Sequence, residues 1–197
     1  MNLKKFWHFI WEEDSIWSWI ANIIIAFVLI KYIIFPVLGF ALGSEFPVVA
    51  VVSSSMEHDG NFDQWWSSRA ICEAECTQED FYKEYNITKE QFREFTFKNG
   101  FNKGDVMVLT SYKNIDLGDT IVFISKDGRP IIHRVISLDP IQTKGDHNQA
   151  QIMNQILNEK NVSQYKLIGK ASVKIPLLGY VKILFVDIMS LFGVQIS

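Results

Sequence analysis

The longest unbroken apolar stretch lies near the N-terminus. From Trp17 to Leu42 the chain runs WSWIANIIIAFVLIKYIIFPVLGFAL, 26 residues with one charge, Lys31. A bilayer core needs about 20 such residues, so the stretch predicts a transmembrane helix. The apolar run of a cleaved signal peptide is shorter, usually about 7–15 residues. Trp17 and Trp19 suit the interface on the entry side. Lys31 either snorkels or faces a partner helix. Pro36 predicts a kink, because its ring removes a helix donor and clashes with the preceding turn. After Leu42 the pattern changes to short β-branched runs between turn residues. Val48–Val52, Asp105–Thr110, Thr120–Ile124, Ile131–Ser137, Tyr165–Val173 and a stretch near Ile175–Val181 read as strands. Asp127-Gly128, between two of them, is a strong hairpin signal. No helix alternates with these strands, so they predict a mainly β, antiparallel domain rather than an α/β one.

The stretch from Asp59 to Lys103 interrupts the strands and reads as helical. Thr88-Lys89-Glu90-Gln91 is a capping-box pattern, after which Phe92 and Phe95 share one helical face. Trp65, Trp66, Phe81, Tyr82 and Tyr85 add to its aromatic content. Two readings stand: a small helical insertion that buries its aromatics on the β domain, or a surface for a partner or the membrane interface. The C-terminal stretch Val181–Ser197 is apolar but too short to span. It reads as an amphipathic helix on the membrane or against the domain.

Charge sharpens this layout. The net charge is −3, and Asp59–Lys103 carries all of it, with nine acidic and six basic residues. That balance argues against nucleic-acid binding, which normally needs a basic excess. Lys4 and Lys5 precede the apolar span, whereas the first basic residue after it is Arg69. The positive-inside rule then puts the N-terminus in the cytoplasm and everything after Leu42 outside. Asn86-Ile87-Thr88 and Asn161-Val162-Ser163 are glycosylation sequons on that side. Cys72 and Cys76 have no histidine or further cysteine at zinc-site spacing. They are either free thiols or, in an oxidising compartment, a disulfide.

Three places along the chain carry candidate chemistry. Ser53-Ser54-Ser55-Met56-Glu57 follows an apolar strand, whereas serine clusters alone usually mark loops. In an extended chain Ser53 and Ser55 point to the same side, so one hydroxyl can attack while the other stabilises an oxyanion. His133, in Ile131-Ile132-His133-Arg134-Val135, shares a strand face with Ile131 and Val135. It is either a core histidine satisfied by the backbone or a general base that apolar neighbours help keep neutral. Asp146, in Thr143-Lys144-Gly145-Asp146, is either a turn residue or a carboxylate that orients the imidazole.

Taken in order, S-x-S-M-E at Ser53–Glu57, a Gly-Asp pair before a strand (Gly104-Asp105 or Gly118-Asp119), His133-Arg134-Val135, Thr143–Asp146 and Ile175–Tyr180 (IPLLGY) resemble signal peptidase I. The likeness covers roughly Val48–Val181 without the inserted stretch, plus the anchor. Bacterial relatives carry lysine where this chain has His133, so the resemblance is to the archaeal and endoplasmic-reticulum branch. It implies a β-rich domain built on the membrane surface. In it Ser55 is the nucleophile, Ser53 and the Ser55 backbone N–H form the oxyanion hole, His133 is the base and Asp146 the acid. It also implies a serine endopeptidase that removes signal peptides after small residues at −1 and −3, with no metal or organic cofactor. The chain departs from the family in one respect. A second aspartate normally follows the T-K-G-D segment, but here Asn148-Gln149-Ala150-Gln151-Ile152 follow, and the next acid, Glu159, is the second candidate after Asp146 for the carboxylate on His133.

The layout expected is a cytoplasmic N-terminus (1–16), a transmembrane helix (17–42), an extracytoplasmic peptidase domain (43–181, with the insertion at 59–103) and a membrane-associated segment (182–197). Partners implied are signal-peptide-bearing precursors, the lipid bilayer, and other membrane subunits or the translocation channel. Two rivals are a related self-cleaving or regulatory protease and a catalytically inactive membrane-anchored assembly subunit. The missing aspartate is the feature that favours the second.

Overall fold

The chain divides into two units, Met1–Leu42 and Gly43–Ser197. The structure, a computed structural model, describes residues 3–180, so the amphipathic helix expected over 182–197 lies outside the described residues. In the first unit a short helix, α1 (Leu3–Trp11), turns back on a second, α2 (Ile16–Leu29). Side chains of α2 close the free end of α1: Ser18 Oγ donates to the Phe9 carbonyl (2.6 Å) and Asn22 Nδ2 to the Ile10 carbonyl (2.9 Å). Helix ends leave carbonyls without intrahelical partners, and these two bonds meet that need.

The apolar helix runs on from α2 through a wider turn, Ile30–Ile34, into α3 (Phe35–Leu42). Together these make 27 residues, Ile16–Leu42, with a mean hydropathy of 2.6 over the most apolar window. At 1.5 Å per residue that is roughly 40 Å, enough to cross a bilayer core of about 30 Å. A signal sequence near an N-terminus meets the same criterion. The disturbance expected at Pro36 takes the form of the wide turn just before it, where Phe35 N–H reaches back five residues to the Ile30 carbonyl. Such a turn eases the clash that a proline ring makes with the preceding turn. Lys31 Nζ rests over the rings of Phe27 and Tyr32, 5.5 and 5.4 Å from their centroids.

In the second unit the strands are β1 (Val48–Ala50), a ribbon of β2 (Arg69–Ile71) and β3 (Glu75–Thr77), then β4 (Val106–Thr110), β5 (Thr120–Ile124), β6 (Pro130–Leu138), β7 (Ile141–Lys144) and β8 (Lys166–Ile175). Six form one antiparallel sheet in the order β1-β4-β8-β5-β6-β7. The expected antiparallel sheet is therefore present, although helices make the unit mixed in class. Asp127-Gly128 does turn the β5–β6 hairpin; Gly128 has φ +83°, which a glycine adopts without steric cost. The strand expected over 165–173 is β8, which runs on to Ile175; the further strand expected near 175–181 is not formed among the described residues, where 176–179 make a turn. Ile141–Lys144, outside the expected strands, is paired with β6.

The inserted stretch holds three short helices, α4 (Phe62–Trp66), α5 (Gln78–Glu84) and α6 (Lys89–Glu94), and the β2–β3 ribbon, so it is not purely helical. Each helix starts on a reciprocal cap: Asn61 with Gln64, Thr77 with Asp80, and Thr88 with Gln91 as expected. Trp65, Trp66, Phe81, Tyr82, Ile87 and Phe92 form one buried cluster that includes Ile136 of β6. The insertion therefore turns its large aromatics inward onto the sheet. Cys72 and Cys76 are disulfide-bonded across the turn of the ribbon, with Cα atoms 6.1 Å apart.

Candidate active site

The serine loop begins where β1 ends. Val51 donates to the Asp105 carbonyl (2.8 Å) and Gly104 to the Val51 carbonyl (2.9 Å), which ties the exit of β1 to the start of β4. Met56, fully buried, anchors the other end of the loop in the core. Between these anchors Ser53 Oγ and Ser55 Oγ stand 3.2 Å apart and share a hydrogen bond; the two serines sit on a bend and turn rather than the extended chain expected there. The Ser55 carbonyl accepts from His147 N–H (2.9 Å), so the loop is also held by the segment after β7.

Ser53, Ser55, His133 and Asn148 line one cavity of about 240 Å³, whose other walls include Val49, Val122 and Ile132. His133 is 3% exposed and sits on β6 opposite Ile121. Its Nδ1 is 2.5 Å from Glu159 Oε1. An ionised carboxylate only accepts, so Nδ1 carries the proton and Nε2 is left as the free acceptor. Among the described residues no hydrogen bond joins Ser55 Oγ to His133 Nε2; catalytic contacts of this kind often close only when substrate binds.

The carboxylate on His133 is thus Glu159 and not Asp146, which corrects the expected pairing. Successive residues of a strand point to opposite faces, and on β6 His133 and Arg134 do so. Asp146 belongs to the Arg134 face. Its Oδ1 accepts from Arg134 Nε (2.9 Å), and its Oδ2 from Arg134 Nη2 (2.7 Å) and His58 Nε2 (3.0 Å). Tyr82 Oη adds a bond of 3.3 Å to Oδ1. The remaining Arg134 donors go to the carbonyls of Thr96, Phe97 and Gly118. Burial opposes ionisation of Asp146, but the Arg134 charge and the bond from His58 outweigh it and hold the carboxyl far below the usual range.

Glu159 reaches His133 because residues 152–159 double back. Ile152 and Glu159 exchange two bonds, one backbone and one to the carboxylate: Glu159 N–H donates to the Ile152 carbonyl (3.0 Å), and Ile152 N–H to Glu159 Oε2 (2.6 Å). Thr143 of β7 then donates through Oγ1 to Glu159 Oε1 (3.1 Å). The carboxylate is fully buried and its position is set by β7 as well as by its own loop.

Gly145 borders the same site. A methyl group on it would lie 2.6 Å from Asn148 Nδ2, 2.7 Å from the Ser55 carbonyl oxygen and 2.9 Å from His133 Nε2. Such contacts are too close for any side chain, so glycine keeps the imidazole edge clear. Lys144, its neighbour, is fully buried on the Arg134 side and absent from the cavity wall. Its Nζ donates to Gln78 Oε1 (2.8 Å) and the Gly145 carbonyl (3.1 Å) between the rings of Phe81 and Tyr82. Burial lowers its ammonium to about 8, against the pull of Asp146 and Glu159. No protein-family model matches the chain, and a search of curated proteins finds no match either.

Proposed function

We propose that this chain is a membrane-anchored serine endopeptidase of the signal peptidase I kind, which cleaves signal peptides from precursor proteins on the non-cytoplasmic side. The observation that carries the reading is one cavity walled by Ser53, Ser55 and His133, with the other ring nitrogen of His133 bonded to the buried Glu159. A nucleophile, a base with its free nitrogen available and a third group that orients the base are the parts this chemistry needs.

In the reaction Ser55 Oγ attacks the scissile carbonyl while His133 Nε2 takes its proton. Glu159 holds the ring and stabilises the imidazolium. The oxyanion is met by the Ser53 hydroxyl and the Ser55 backbone N–H. Collapse breaks the C–N bond, and His133 returns the proton to the departing amine. Water, activated by the same imidazole, then releases the acyl group from Ser55. A small, largely apolar cavity suits small side chains next to the cut. The apolar helix holds the enzyme at the membrane, and the Lys4 and Lys5 bias sets its N-terminus inside.

The rival reading, an inactive assembly subunit, drew its support from the missing second aspartate. Glu159 on His133 removes that support. Purified protein in detergent should process a precursor peptide, and Ser55→Ala should abolish processing without loss of folding. Equal processing by the two proteins would refute the nucleophile assignment.

A further inference from the structure

Building on the peptidase reading, we propose that Asn148 is a substrate-binding residue. Its side-chain amide donates to the main-chain carbonyl of the first residue after the cut, on the leaving-group side of the site.

The wall of the cavity carries few polar groups. Ser53 and Ser55 are bonded to each other, and His133 Nδ1 is committed to Glu159. Asn148 Nδ2 differs: it is buried and has no hydrogen-bond partner among the described residues. A buried amide donor left unmet is costly, and a carbonyl that enters the cavity would satisfy it. An NH₂ group only donates, so it selects an acceptor. An extended peptide supplies such acceptors at regular spacing through its main chain.

Position decides which carbonyl. A methyl group on Gly145 would lie 2.6 Å from Asn148 Nδ2 and 2.9 Å from His133 Nε2, so both nitrogens border one small volume. Nε2 must face the nitrogen that leaves, because it returns the proton to it. The oxyanion lies toward Ser53 and the Ser55 N–H. The flank of Nε2 shared with Asn148 therefore belongs to the departing strand, and its nearest acceptor is the carbonyl of the first residue after the cut.

The amide is also held in place. Asn148 N–H donates to the Gly145 carbonyl (3.0 Å), which closes a turn. Its own carbonyl accepts from Gln78 Nε2 (3.2 Å) at the start of α5, and the next carbonyl, of Gln149, accepts from Ile71 N–H (2.9 Å) of β2. The insertion thus grips the backbone that carries Asn148. A donor fixed in this way costs little ordering when substrate arrives.

The test uses two peptides that differ in one atom group: a processed peptide, and its analogue with a methylene in place of that first carbonyl after the cut. Full-length wild-type protein in detergent should cut the carbonyl peptide about tenfold faster in kcat/KM, the size expected for one neutral hydrogen bond. Asn148→Ala and Asn148→Asp, which lack the donor, should cut both peptides equally, near the rate of wild type on the analogue. A wild type with no preference overturns the proposal whatever the variants do, and so do variants that keep the preference. If wild type cuts neither peptide, nor any precursor, the peptidase reading itself falls.

Discussion

β6 has two faces, and each holds a buried carboxylate against a buried base. On one face Glu159 meets His133; on the other Asp146 meets Arg134. The difference lies in what is left over. Every N–H of Arg134 has an acceptor, and Asp146 is surrounded by donors, so that pair has no free valence and faces aromatic rings, including Phe92 at 4.7 Å. The His133 pair leaves one ring nitrogen unbonded at a cavity wall. Burial is alike on the two faces. Only an unspent acceptor beside open space distinguishes a chemical site from a structural one.

Substitutions can break this comparison from either side, and Glu159→Gln should have the largest effect. It keeps the shape but stabilises the wrong tautomer of His133. In the serine-protease triad the analogous amide exchange lowers kcat by about 10⁴, and a similar loss is expected in turnover with folding unchanged. Near-normal turnover would mean that His133 works without an acid. Asp146→Asn should do the reverse. It leaves the Arg134 charge buried without its partner, which costs about 3–5 kcal/mol of stability in denaturant unfolding. The folded fraction should still turn over, and a variant of full stability with no activity would return Asp146 to the chemistry.

The smallest effect sharpens the structural face. Lys144 stands opposite Arg134 in the β6–β7 pairing. Its folded value of about 8 lies below its ordinary 10.5. Between those values the unfolded chain keeps a proton that the folded chain has lost, so stability rises with pH through the window. The full span is worth about 3 kcal/mol. Denaturant midpoints measured from pH 7.5 to pH 10 should climb for wild type and stay level for Lys144→Met. Parallel profiles would show that this amine keeps its proton in the fold.

Much of the sheet was legible because the physics is local. β5 begins and ends where its apolar run does, and Asp127-Gly128 needs only a glycine at positive φ. The β2–β3 ribbon was hidden, since Arg69-Ala70-Ile71 and Glu75-Cys76-Thr77 are too short and mixed to show a period of two. Ile141–Lys144 is hidden for a related reason: with one apolar residue in four it shows no alternation. Ser53, Ser55 and His133 were legible as residue types at a spacing. The carboxylate paired with His133 was expected at Asp146 ahead of Glu159, because nearness along the chain stood in for nearness in space. Strand alternation at Arg134 claims the nearer carboxylate, and the backward turn of 152–159 that delivers Glu159 depends on tertiary pairing with Thr143. Asn148 left no trace in sequence, because an unmet donor is visible only once its neighbours are placed.

The position of β8 has a consequence for biogenesis. The serine loop hangs on β1 and β4, while His133 and the residues that hold Glu159 belong to the β5-β6-β7 group. In strand pairing among the described residues these two groups meet only through β8, the last of the described strands in chain order, which lies between β4 and β5. A nascent chain that has emerged as far as Gln164 can form the β5–β6 and β6–β7 hairpins and the bond from His147 N–H to the Ser55 carbonyl, but it lacks the strand that joins the two parts of the sheet. Long-range pairings of this sort form late, after their loop-closure cost is met. The sheet that carries Ser55 and His133 is therefore joined across its middle only once Lys166–Ile175 has emerged.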